Sequence, residues 1–256
     1  MTTATISTPR PSALRRLTVN ELRLFLRERT GPAFGVGFPL ALLIIFGNIP
    51  YFNEPMKTYG GQTILDVYVP ILVGFVITML AVNFLPPTLA GYRERGVLRR
   101  LQTTPVGALR VLTAQLIVNV TTIVVSVLAV LLVGRFAFGV ALPKQVVAFT
   151  LTAVLATLAM ISIGLLVAAA APTGRAANAL GAVLFYVSMA FAGLWIPIQV
   201  MPTLLQHIAH ATPLGAAVTA MSDASQGHWP AGIQLITLAG YTVVAGTAAT
   251  KLFRWE

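Results

Sequence analysis

The stretch Gly91-Tyr-Arg-Glu-Arg-Gly-Val-Leu-Arg-Arg-Leu-Gln-Thr-Thr-Pro105 is a charged island between long apolar runs. Arg93, Glu94, Arg95, Arg99 and Arg100 crowd together in it. Val97, Leu98 and Leu101 interleave them at helical spacing, so a helix gathers these three on one side. Apolar segments of about 20 residues, the length at which a helix crosses a bilayer, stand before and after it. The island therefore reads as a short helix in a loop, where a membrane-buried chain touches a soluble partner.

Composition supports that frame. Of 256 residues, 57% are hydrophobic and 9% charged, against about 25% charged in a soluble domain. The mean hydropathy of +0.84 agrees. A membrane β-barrel needs alternating segments of about 10 residues, and the apolar runs do not alternate. The fold class expected is an all-α polytopic membrane protein, because helices satisfy their backbone internally in lipid. The chain has no cysteine, which excludes disulfides, thiolate nucleophiles and Cys-type zinc sites. The net charge of +10 would suggest nucleic acid in a soluble protein. Here the basic residues fall in loops, as membrane topology demands, and no nucleic-acid partner is expected.

Six spans are expected, at about 33–49, 64–89, 106–133, 145–171, 176–196 and 231–249. Residues 1–11 are rich in Thr, Ser and Pro and are expected to be disordered. No cleavable signal peptide is expected, since the first 32 residues lack a continuous apolar core of the required kind. Residues 12–30 predict an amphipathic helix. Arg16, Asn20, Arg23 and Arg27 fall within about 60° of one another, and leucines, Val19 and Phe25 fill the remaining arc. That is the pattern of a helix lying in the membrane interface, in contact with lipid. The second span is expected to end at Pro86-Pro87. Thr103 or Thr104 is expected to cap the third, with Pro105 in its first turn. Residues 197–229 hold two short helical pieces, about 203–211 and 214–222. They are too short to span and read as interfacial or re-entrant. Trp195 and Trp229 bracket them as an outer aromatic belt.

Of the seventeen lysines and arginines, only Lys57, Arg135 and Lys144 fall on one side of this six-span arrangement. The excess of cations on the other side places both termini and the 91–105 loop in the cytoplasm.

Motifs for chemistry are few. There is no G-x-x-x-x-G-K for nucleotide, no H-E-x-x-H and no G-x-S-x-G. The one acid near a span is Asp66, which reads as a solvated helix start. An ion-driven pump buries at least one carboxylate, so energy must come from elsewhere. His207 and His210, at i and i+3, with His228 further on, could ligate a metal. Only Asp223 is near enough to join them, and an amphipathic outer helix explains them as well, so no metal is expected. A greasy path could be lined by Phe38, Phe46, Asn83, Phe84, Phe185, Tyr186 and Met189.

Residues Tyr92-Arg-Glu-Arg-Gly-Val-Leu-Arg-Arg-Leu-Gln-Thr-Thr-Pro-Val106 resemble the pattern E-[RK]-[ERK]-G-[ST]-[LF]-E-x-L-x-x-T-P of the ABC-2 type transporter permeases, found in the loop after their second span. Val97 stands where that family favours Ser or Thr, and Arg99 where it favours an acid. The interfacial helix, six spans and broken outer segment are similar too. The resemblance implies a permease subunit of an ATP-driven exporter, with no catalytic residue and no cofactor of its own. ATP and Mg would belong to a separate ABC ATPase subunit. The coupling residues implied are Arg93, Glu94, Arg95, Gly96, Val97, Leu98, Arg99, Leu101, Thr104 and Pro105. Val97, Leu98 and Leu101 would enter a cleft of the ATPase, and Arg16, Arg23 and Arg27 belong to the interfacial helix. Glu94 could pair with Arg23 or Arg27. A second permease copy, or a related permease, would complete the unit in the bacterial plasma membrane. Sparse charge in the spans points to a hydrophobic or amphiphilic cargo, as in the drug-efflux branch. A polysaccharide or teichoic-acid exporter, or an ion-coupled transporter, is the alternative.

Overall fold

The computed structural model describes residues 12–28, 30–102 and 107–252. The segment 1–11, Thr103, Thr104 and Pro105 lie outside the described residues. Among the described residues, apart from three short 3-10 turns, the helices in order are α1 (Ser12–Arg27), α2 (Thr30–Gly47), α3 (Ile64–Glu94), α4 (Val97–Gln102), α5 (Ala108–Phe138), α6 (Val146–Ala170), α7 (Gly174–Phe191), α8 (Thr203–Ala211), α9 (Pro213–Gln226) and α10 (Gly232–Leu252). Among the described residues the only β feature is an isolated bridge, Pro55 to Thr63. Helices α2, α3, α5, α6, α7 and α10 are long and apolar enough to cross a membrane. The protein is an all-α polytopic membrane protein.

The bundle is organised around α3. Its most apolar window is 83% buried inside the protein, whereas the other five long helices range from 22% to 50%. Leu72, Val73, Val76, Ile77, Leu80 and Ala81 are fully buried on it. An α3 that touches neighbours on every side needs no polar face, and its sequence has none from Val67 to Val82 except Tyr68 and Thr78. Its start is fixed by a capping box. Asp66 N donates to Thr63 Oγ1 at 3.0 Å, and Thr63 N donates back to Asp66 Oδ2 at 3.1 Å. The other Asp66 oxygen accepts from Ala141 N at 3.2 Å. Asp66 is thus a cap that also pins the loop after α5.

Pro86 and Pro87 do not end the second span. The helix runs through them to Glu94. The reason lies just before them, where Met79–Phe84 is wound as a π-helix. A proline removes one backbone donor and crowds the carbonyl four residues back. A widened π turn relieves that crowding. The same device recurs in α2, where the π segment Ala33–Gly37 precedes Pro39. The two π segments meet, because a Cβ on Gly35 would press on Leu80. On the other sides of α3, a Cβ on Gly164 of α6 would collide with the Ala81 carbonyl oxygen, and one on Gly181 of α7 with that of Val82. Asn119 of α5 donates Nδ2 to Leu80 O at 2.9 Å. Bare glycine faces thus let α6 and α7 pack directly on the backbone of the π turn, and the Asn119 amide adds a hydrogen bond between helices there.

Two other boundaries shift. The third span starts at Ala108 rather than at about 106, because Gly107 holds φ +70° and cannot extend the helix. The fifth ends at Phe191, and Gly193, at φ +92°, turns the chain before Pro197. Helices α8 and α9 then form a hairpin. Its Thr212 turn lies inside the bundle, since a Cβ on Gly74, about a third of the way along α3, would meet Leu214 and Val218 at 3.1 Å. The far end of α9 rises to the loop before α6, where Gln145 N donates to Ala224 O at 3.0 Å. Helix α9 is lined by small buried residues, including Ala216, Ala217 and Ala220. That burial lets a short helix sit at membrane depth within protein.

Candidate functional site

The last turn of α3 sends three consecutive side chains to three different places. Tyr92 turns toward α1 and α5, and its hydroxyl donates to Glu21 Oε2 at 2.8 Å. Gln115 of α5 donates Nε2 to the same carboxylate and to Tyr92 Oη at 3.2 Å. Glu21 is 7% exposed, and a carboxylate buried so deeply needs such donors. Arg93 points to the end of α6. It donates Nη1 to Ala169 O at 3.2 Å and Nη2 to Ala171 O. Glu94 points to the start of α7 and accepts from Gly174 N at 2.8 Å. Glu94 is therefore not paired with Arg23 or Arg27. Those two and Arg16 are exposed on α1, whose opposite face lies on α5.

Beyond this turn the chain reverses at Gly96, whose φ of +66° suits glycine. Arg95 folds back on its own helix, donating Nε to Gly91 O at 3.1 Å and lying 5.8 Å from the Tyr92 ring centre. The six-residue α4 follows. Its Leu98 is fully buried in the chain itself. The expectation that Leu98 enters a partner's cleft is corrected: at helical spacing it marks the inward face of α4, and a six-residue helix needs such an anchor. Val97 and Leu101 are half-buried, and Arg99 and Arg100 are exposed.

A second feature lies between α2, α3 and α7. A cavity of about 400 Å³ is lined by Phe34, Phe38, Phe46, Tyr68, Phe75, Met79, Asn83, Phe185, Tyr186 and Trp195, with Leu42 and Leu194. Its rings interlock, Phe38 with Phe75 at 5.4 Å and Phe75 edge-on to Phe185 at 5.2 Å. Five of the seven expected path residues line it: Phe38, Phe46, Asn83, Phe185 and Tyr186. Phe84 instead lines a polar cavity beside Glu21 and Tyr92. Met189 is fully buried and lines neither cavity. Asn83 is the one amide on the aromatic wall, and its Nδ2 lies 3.4 Å from Met79 Sδ.

The histidines stay apart. His207 Nδ1 sits 2.7 Å from Thr203 O in its own helix, and His210 Nδ1 is 3.3 Å from Thr219 Oγ1. Asp223 accepts from Gln234 Nε2 at 3.1 Å. Among the described residues no group of three His, Cys, Asp or Glu could hold a metal. Sequence reasoning missed Glu21 as a junction residue. Its signal was available: it is the lone acid of α1 before Glu28, about 140° around the helix from Arg16.

A family model described as ABC-2 type transporter matches residues 12–224. The chain belongs to the ABC-2 type transporter family. Among curated proteins none matches it. An ABC-2 membrane domain is the permease component and not the ATPase, and members of the family work with an ATPase partner. The ABC-2 match takes in α1, the turn at Tyr92–Glu94, α4 and most of α9, and leaves α10 beyond its end.

Proposed function

We propose that this chain is the permease subunit of an ATP-driven exporter that moves a hydrophobic or amphiphilic molecule, drug-like or lipid-like, out of the cytoplasm. The observation that carries this reading is the aromatic cavity between α2, α3 and α7. Its aromatic rings, with the Asn83 amide and the polar tips of Tyr68, Tyr186 and Trp195, suit a largely apolar molecule with a few hydrogen-bonding groups. The ATPase docks on the cytoplasmic loop, where Arg99 and Arg100 of α4 are exposed and arginines meet an acidic rim. ATP and Mg are held by that subunit. Both termini face the cytoplasm, the membrane is the bacterial plasma membrane, and two permeases, alike or related, make the working unit.

The test is transport in vesicles carrying the permease and its ATPase, with a fluorescent cationic amphiphile as cargo. ATP-dependent movement of the dye, lost in Phe38→Ala/Phe185→Ala while the ATPase still co-purifies, supports the reading. Failure of any ATPase to co-purify defeats it. A second reading, export of a lipid-linked sugar polymer, is favoured by Tyr68, Tyr186 and Trp195 on the wall, since aromatic faces stack on sugar rings. Stimulation of ATP hydrolysis by a polyprenyl-linked glycan and not by the dye decides for it.

A further inference from the structure

Helices α6 and α7 end and begin at one tight turn, Ala171–Thr173. The last carbonyls of α6 carry partial negative charge and the first amides of α7 partial positive charge. Two neighbouring residues of α3 meet them with opposite signs. The Arg93 guanidinium forks onto Ala169 O and Ala171 O, and the Glu94 carboxylate takes the Gly174 amide at 2.8 Å. The backbones touch as well. A Cβ on Gly174 would lie 3.2 Å from Pro87 O and 3.4 Å from Gly91 Cα. The turn is thus held to α3 by contact, by a cation and by an anion at once.

Capping alone does not account for Glu94. Helix α7 already has its own cap, since Ala176 N donates to Thr173 Oγ1 at 3.1 Å. What Glu94 adds is a bond to a different helix, one that leads straight into α4. Helix α7 in turn carries Phe185 and Tyr186, which form one wall of the aromatic cavity.

We propose that Arg93 and Glu94 are a positioning pair that carries movement of the ATPase-docked loop into α7 and so into the cavity wall. This rests on the reading of the loop as the ATPase dock. The path runs from α4 through the end of α3, across the pair to the turn at 171–173, and along α7. The pair's two side chains are spent on the protein's own backbone, and the push arrives through α4.

The natural absence of cysteine makes the test direct. Tyr186→Cys, 64% exposed in the natural residue, is a single thiol reporter on the cavity side of α7. The full permease–ATPase complex in lipid vesicles is labelled with a maleimide, with ATP plus vanadate and without nucleotide. In the reporter chain the labelling rate differs between the two conditions. The difference is lost in Glu94→Gln and in Arg93→Gln, with the ATPase still co-purifying, and is kept in Thr173→Ala, which weakens the same helix end without touching α3. Should Glu94→Gln not reach the membrane, Glu94→Asp keeps the charge but shortens the reach and is read the same way. A difference that survives both pair variants overturns the inference, as does equal loss in Thr173→Ala or no difference in the reporter chain itself. If no ATPase co-purifies with any chain, the proposed function fails, and this inference fails with it.

Discussion

Tyr92 and Glu21, 71 residues apart in the chain, share a 2.8 Å hydrogen bond that fastens the arginine-rich first helix to the end of the central one. The Tyr92→Phe variant keeps the ring and removes the donor. Gln115 alone then serves the buried Glu21 carboxylate. A hydrogen bond to a charged group contributes about 1.5–3 kcal/mol, so docking of α1 weakens by that order. Limited proteolysis within α1 accelerates, and the detergent-solubilised protein melts at lower temperature. An unchanged cleavage rate would show that α1 is held by its apolar contacts on α5 alone.

The glycines of α6, α7 and α10 sort by what they touch. Gly164→Ala and Gly181→Ala place a methyl against backbone oxygens that cannot rotate away. Each costs about 1–3 kcal/mol, as overpacking does. Gly240→Ala has open space around it and gains up to about 1 kcal/mol of helix propensity. Thermal unfolding of the three variants in one detergent gives opposite signs for the two classes.

Leu98 and Arg99 are adjacent but face opposite ways. The Leu98→Asp variant buries a carboxylate inside the permease and lowers its own stability by several kcal/mol. Arg99→Glu leaves the melting temperature within about 1 °C, because isolated surface charges contribute little. It weakens ATPase co-purification instead. Equal effects of both on the melting temperature would mean that α4 packs differently.

Gly96 reverses the chain at φ +66°. The Gly96→Ala variant carries a left-handed strain of about 1–2 kcal/mol. Since the strain is local to a loop, it tilts α4 rather than unfolding the bundle. ATP hydrolysis by the complex then loses its response to cargo while membrane insertion is retained. A cargo response equal to that of the natural chain would rule this out.

Much of this was legible in the sequence. The six long helices follow from runs of apolar residues, and the outer hairpin from two pieces too short to span, about 203–211 and 214–222. The aromatic wall was legible only as a set of ring-bearing residues on three spans. What the sequence hid were effects set by neighbours far along the chain. Pro86-Pro87 reads as a stop because local rules penalise proline in a helix, yet a π turn and glycines more than 70 residues away absorb it. Arg93 and Glu94 read as coupling-loop residues, with Glu94 paired to an arginine of α1, because nothing local shows that the α6–α7 turn comes to meet them. Leu98 reads as a docking residue because helical spacing gives a face but not what the face is turned to.

Helix α3 has 31 residues, which at 1.5 Å each is about 46 Å, while the hydrocarbon core of a bilayer is about 30 Å thick. The helix is therefore longer than the hydrocarbon core needs, and its last turns are packed on neighbouring helices. From the π segment near Leu80, clasped on three sides, to Glu94 it measures about 21 Å. A tilt of about 5° at that clasp swings Glu94 by about 2 Å, more than half the length of a hydrogen bond. The proposed coupling therefore needs only a small tilt about the widened turn, one that leaves the buried centre in place and still moves the tip far enough to pull a neighbouring helix along.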